Sequence, residues 1–145
     1  MTAPTSPVTE ANIVTFRRAI DEGWNNGNLA AIDELFAPDF VEHQAGIAPG
    51  RDGVKGSIRA LRTAFPDLRL DVEDAVAGGD TVWLRLHGTG THEGPFMGMP
   101  GTGRRIDVTV IDIARIVDGR LIEHWGVADR LAAAQQIGLV PGGPR

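Results

Sequence analysis

Asp112 stands in Val108-Thr-Val-Ile-Asp-Ile-Ala114, a carboxylate inside a β-branched run. Such a group either faces water or is buried with a shifted protonation equilibrium, and the buried state suits it to exchange protons with a substrate. Alternate residues of a strand share a face. Val108, Val110, Asp112 and Ala114 therefore form one set, and Asp107, Thr109, Ile111 and Arg115 the other. The first set is the more apolar, so Asp112 and Val110 are expected to point inward. His124, in Arg120-Leu-Ile-Glu-His-Trp-Gly-Val127, shares its face with Ile122 and Gly126. A His124–Asp112 pair across a sheet would fix the imidazole tautomer and raise its basicity. The alternative for His124 is a structural histidine with its hydrogen bonds satisfied.

His43 closes the apolar segment Phe40-Val-Glu-His43 beside a glycine-containing loop. It is a candidate pocket base or donor, or else a strand-end histidine bonded to backbone. His92 precedes the loop that carries Phe96 and Met97, and these three are candidates for the pocket rim. His87 and His92 are separated by Gly88 and Gly90, so parity does not assign them a face. Asp129 stands where a last helix would begin. Its first reading is an N-cap, its second a contact with substrate. The four histidines are scattered, without a His-x-His or His-x-x-x-His pair, so no metal site is expected. Gly98–Gly103 does not lead from a strand into a helix and is not read as a phosphate cradle.

The elements that must position these groups follow from pattern. Thr9 is read as the cap of a first helix in which Ile13, Phe16, Ile20 and Trp24 recur at helical spacing before Gly27. Asn28 is read as capping a second helix that ends before Pro38, with a short strand at 39–44. Asp52 is read as capping a third helix through Val54, Ile58, Leu61 and Phe65, stopped by Pro66. Strands follow: Leu68, Leu70 and Val72 alternate with polar residues, and Thr81–Thr91 alternates again after Gly78-Gly-Asp80. Asp118-Gly119 is the two-residue turn of a long hairpin. Helices first and strands later is an α+β order. Helices over a curved, mostly antiparallel sheet give a cone whose open end is a deep small-molecule pocket. One domain is expected over residues 9–138, with 1–8 a disordered lead-in and 139–145 a loose tail.

Composition narrows the chemistry. The chain has 145 residues, no cysteine, no tyrosine and a formal charge of −5. A thiol nucleophile, a Cys-based zinc site and a phenolic general acid are thereby excluded. The acidic balance and the lack of a basic run argue against nucleic acid. No apolar run is long enough to span a bilayer, and Met1–Pro7 lacks the features of a secretory signal. A cytoplasmic protein is expected.

Several segments together resemble the SnoaL-like polyketide cyclase family, within the superfamily that includes ketosteroid isomerase and scytalone dehydratase. They are Trp24-Asn-Asn-Gly-Asn28, Ala37-Pro-Asp-Phe-Val-Glu-His43, Arg62-Thr-Ala-Phe-Pro-Asp67, Thr91-His-Glu-Gly-Pro-Phe-Met-Gly-Met-Pro-Gly-Thr-Gly-Arg104, Arg115-Ile-Val-Asp-Gly-Arg-Leu-Ile-Glu-His-Trp125 and Gln135-Gln-Ile-Gly138. The resemblance implies a cofactor-free and metal-free cyclase acting on a hydrophobic small molecule. It also implies a homodimer formed through the outer sheet face, where Ile111, Ile113 and Trp125 would otherwise meet solvent. Trp24 and Ser57 fall where the family shapes its pocket. The family's aldol cyclases use an aspartate on the last strand, where this chain has Gly126, and a histidine where it has Asp112. The resemblance thus suggests a carboxylate moved across the pocket, with Asp112 transferring the proton and His43 and His124 orienting it or stabilising an enolate. Two alternatives remain open. One is a non-catalytic binding protein, which would want a wholly apolar pocket with Asp112 outside it. The other is a hydroxylase or epoxide hydrolase. The hydrolase would need a carboxylate–arginine cluster, and parity puts Arg115 on the face opposite Asp112.

Overall fold

A computed structural model describes residues 6–142; the lead-in before Ser6 and the last residues of the tail lie outside the described residues. Helix α1 spans Pro7–Arg18 and runs directly into a π-helical segment, Ala19–Asn25. The cap is Ser6, three residues earlier than expected, because its hydroxyl accepts from the Thr9 N–H at 3.3 Å and proline follows at the first helical position. Phe16 and Ile20 are buried, as their spacing predicts. The widened turn leaves the Trp24 and Asn25 carbonyls to be capped by Arg62 Nη1, at 3.0 and 2.7 Å.

Helix α2 spans Leu29–Leu35, and strand β1 follows at once as Phe36–Glu42. Pro38 therefore does not end a helix. It lies inside an edge strand, where a missing N–H is tolerated. Helix α3, Gly50–Ala64, is preceded by Pro49 at the cap position, which leaves Asp52 in its first turn, where a negative charge meets the helix dipole favourably. Strands β2 (Arg69–Gly78), β3 (Thr81–Thr91), β4 (Arg105–Val117) and β5 (Arg120–Ala128) precede helix α4, Arg130–Ile137.

The sheet order is β1-β5-β4-β3-β2, with β1 parallel to β5 and every other pair antiparallel. Asp118 and Gly119 both have positive φ, 51° and 75°, the geometry of the expected hairpin turn. Alternation on β3 buries Val82, Leu84 and Leu86 and leaves Trp83 outside. The helices cover the inner face of this curved sheet in the cone-like α+β arrangement. Among the described residues no helix is long and apolar enough to cross a membrane.

Candidate active site

Between the helices and the inner sheet face lies a cavity of about 730 Å³. Phe16, Ile20 and Trp24 line it from the first helical run, and Val54, Ser57 and Leu61 from α3. Val110, Asp112 and His124 line it from the sheet, and Phe96 and Met97 from the loop before β4. Of the residues singled out in sequence, Asp112, His124, Trp24, Ser57, Phe96, Met97 and Val110 thus share one cavity.

At its polar end three groups form a line. His124 Nε2 is 3.1 Å from Asp112 Oδ1, and His124 Nδ1 is 2.7 Å from Glu42 Oε1. Strand register explains the meeting. His124 is the Cα partner of Ala114 on one side and of Glu42 on the other, and Asp112 lies two residues along from Ala114 on the same face. Asp112 and His124 are both 7% exposed, so the contacts are made away from bulk water. Burial by itself would lower the His124 pKa. The hydrogen bonds and negative charges of Asp112 and Glu42 outweigh it and raise the pKa to about 9. At neutral pH His124 is therefore an imidazolium donating to a carboxylate on each side.

Asp112 spends one oxygen on this contact. Its Oδ2 has no hydrogen-bond partner among the described residues, and the carboxylate lines the cavity. Glu42 Oε1 is more committed, accepting the Gln44 backbone N–H at 2.9 Å as well as the imidazole. The arrangement is an anchored carboxylate, an imidazolium and a second carboxylate presented to an apolar chamber, which is suited to proton transfer.

Three candidates lie elsewhere. His43 faces outward: its ring stacks on Trp125, with centroids 4.7 Å apart and planes 9° apart, and its Nε2 is 2.8 Å from Glu123 Oε2. Phe40 and Glu42 take the inner face, so the next residue must turn away. His92 is fully buried beside Phe65 and Phe96, with Nδ1 3.0 Å from Thr102 Oγ1, and is sealed from the cavity it was expected to rim. Asp129 caps α4, accepting the Ala132 N–H at 3.0 Å, and its neighbours Ala128 and Arg130 line the cavity in its place.

Sequence reasoning passed over Glu42, Gln44 and Arg130, which also line the cavity. Glu42 had a signal: it lies two residues after Phe40, on the face opposite Val41 and His43. Gln44 continues that face beyond the strand end, and the parallel register that pairs Glu42 with His124 carries it alongside Gly126.

The profile of the SnoaL-like polyketide cyclase family matches residues 14–137, and the chain belongs to that family. Aklanonic acid methyl ester cyclase DnrD of Streptomyces peucetius is 29% identical over 127 residues, covering 83% of this chain and 87% of the relative. Among solved structures, a candidate SnoaL-like polyketide cyclase from Jannaschia sp. CCS1 superposes with a TM-score of 0.87 at 29% identity, over 97% of this chain and 100% of its own. AclR, a candidate hydroxylase from Streptomyces galilaeus, gives 0.84 at 29% identity over 94% and 87%.

Proposed function

We propose that this enzyme closes a ring on a hydrophobic polyketide-type substrate by an intramolecular aldol reaction, with Asp112 as the base and no cofactor or metal. The reading is carried by the Glu42–His124–Asp112 line at the end of the apolar cavity. In the first step the Asp112 carboxylate takes a proton from a carbon beside a carbonyl, and the bonding pair moves onto the carbonyl oxygen as an enolate. The enolate carbon then attacks a second carbonyl of the same molecule, forming the carbon–carbon bond. The resulting alkoxide takes the proton back from Asp112, so substrate and product are isomers.

His124 keeps the carboxylate oriented and offsets the charge of both acids, while Glu42 holds the imidazolium. Likeness to an aklanonic acid methyl ester cyclase supports the methyl ester of a polyketide acid as substrate. A binding protein would be better served by an apolar cavity without Asp112, whereas here the carboxylate lines it.

The test uses Asp112→Asn, which keeps the shape and removes the base. With aklanonic acid methyl ester as first substrate, kcat should fall by about 10³-fold. Hydrogen–deuterium exchange at the acidic carbon should slow in parallel, and circular dichroism should show the variant folded, with its melting temperature lowered by the loss of one of the two ion pairs to His124. An unaltered exchange rate in the folded variant would sink the proposal.

A further inference from the structure

An enolate needs a hydrogen-bond donor for its oxygen as well as a base for its proton. His124 is already committed: its two ring nitrogens face Asp112 and Glu42, so it has no N–H left for substrate. The chain has no tyrosine to serve instead. Beside Asp112 the cavity holds one uncharged amide, that of Gln44. Neither end of this amide has a hydrogen-bond partner among the described residues, while the Gln44 backbone N–H is tied to Glu42 Oε1 at 2.9 Å. The side chain occupies room that Gly126 vacates. A Cβ built on Gly126 would meet the Gln44 amide oxygen, Oε1, first and would lie 2.6 Å from Asp112 Oδ1, so amide and carboxylate converge on one point.

We infer that Gln44 is a catalytic residue of this site, its amide N–H donating to the oxygen of an enolate formed by Asp112. The inference rests on the reading of Asp112 as base. The geometry is what enolisation asks for, because the enolate oxygen lies one bond beyond the carbon that loses its proton, and base and donor must be neighbours. Rotation about the last side-chain torsion exchanges the amide's oxygen and nitrogen, so the N–H can take the place facing Asp112. The ligand class this selects is a planar 1,3-dicarbonyl or β-hydroxy-ketone, whose enolate or phenolate oxygen sits at Gln44.

The test is the ionisation of a bound enolate mimic, 1,8-dihydroxyanthraquinone. Its phenolate band is followed against pH in the wild type, Gln44→Leu, Gln44→Glu and Asp112→Asn, with occupancy checked by Trp24 quenching. Loss of an N–H donor should raise the midpoint of the bound phenol by about one to two pH units in Gln44→Leu. Gln44→Glu, isosteric and acceptor-only, should raise it at least as far. Asp112→Asn should lower it, because a neighbouring negative charge is removed. A midpoint unmoved by both Gln44 variants overturns the inference, as does failure of the wild type to bind the mimic at saturating concentration. The Asp112 reading fails separately, when Asp112→Asn leaves carbon-acid exchange at the wild-type rate.

Discussion

Asp112 and Gly126 are direct partners across the β4–β5 ladder, and the carboxylate of the first fills the space beside the missing side chain of the second. In the proposed mechanism, the work of the family position that Gly126 occupies falls to Asp112, one strand away. A methyl group there would meet Asp112 Oδ1 and the Gln44 amide, both at the ends of side chains that can swing aside. Gly126→Ala should fold with a melting temperature within a few degrees of wild type. Its kcat should drop by about 10²-fold, because an ångström of misplacement is enough to spoil attack geometry. Normal turnover in that variant would show that neither side chain needs its present position.

His124 makes stability depend on pH with a definite sign. Its folded pKa, raised to about 9, exceeds the unfolded reference of about 6.5. The folded state thus binds the proton more tightly. The contribution is fully present below about pH 6.5 and is lost as pH rises through 9. The difference corresponds to something on the order of 3 kcal/mol. Denaturant titrations from pH 6 to 10 should show stability falling across that window, and Glu42→Gln should shrink the fall. A flat profile would place the imidazole outside its ion pairs.

What the sequence disclosed depended on how local the cause was. The inward face of Asp112 follows from parity within one strand, and Asp118-Gly119 from a turn needing positive φ at both residues. The His124–Asp112 contact needs only the hairpin those residues define. Glu42 and Gln44 depend on β1 pairing parallel to β5, some eighty residues away, a choice that no local pattern encodes. His43 differs, because its outward face is a local consequence: Phe40 and Glu42 take the inner face, so alternation turns His43 away from the cavity.

His92 offers a stability test at a position outside the cavity. Its Nε2 is buried without a partner among the described residues, and its ring lies beside two aromatic rings whose centroids are 5.7 and 6.2 Å from its own. A desolvated polar atom of this kind costs about 1 kcal/mol or more. His92→Phe keeps the ring, removes the orphan and leaves Thr102 free to find other partners. It should raise the melting temperature by a few degrees without changing turnover. A marked fall would mean that the bond from Nδ1 to Thr102 outweighs the orphaned nitrogen.

The outer sheet face carries the last prediction. Trp83, Ile113 and Trp125 are successive cross-strand partners and form one row, with Val76 opposite Trp83 at its end. Trp83 is 51% exposed and Val76 60%. The neighbouring charges are largely paired within the chain, Arg85 with Glu73 and Arg115 with Asp80 and Glu123, so the apolar row is left as the surface to cover. We expect a homodimer through this row, because a second copy presents the same stripe and a two-fold axis makes the contact self-complementary. Ile113→Asp places an unpaired charge at its centre and should weaken association by about 10²-fold, following the ~2–4 kcal/mol of a central interface residue. Light scattering of both proteins at micromolar concentration gives the answer. A monomeric wild type would remove the proposal, and a dimeric Ile113→Asp would move the interface elsewhere.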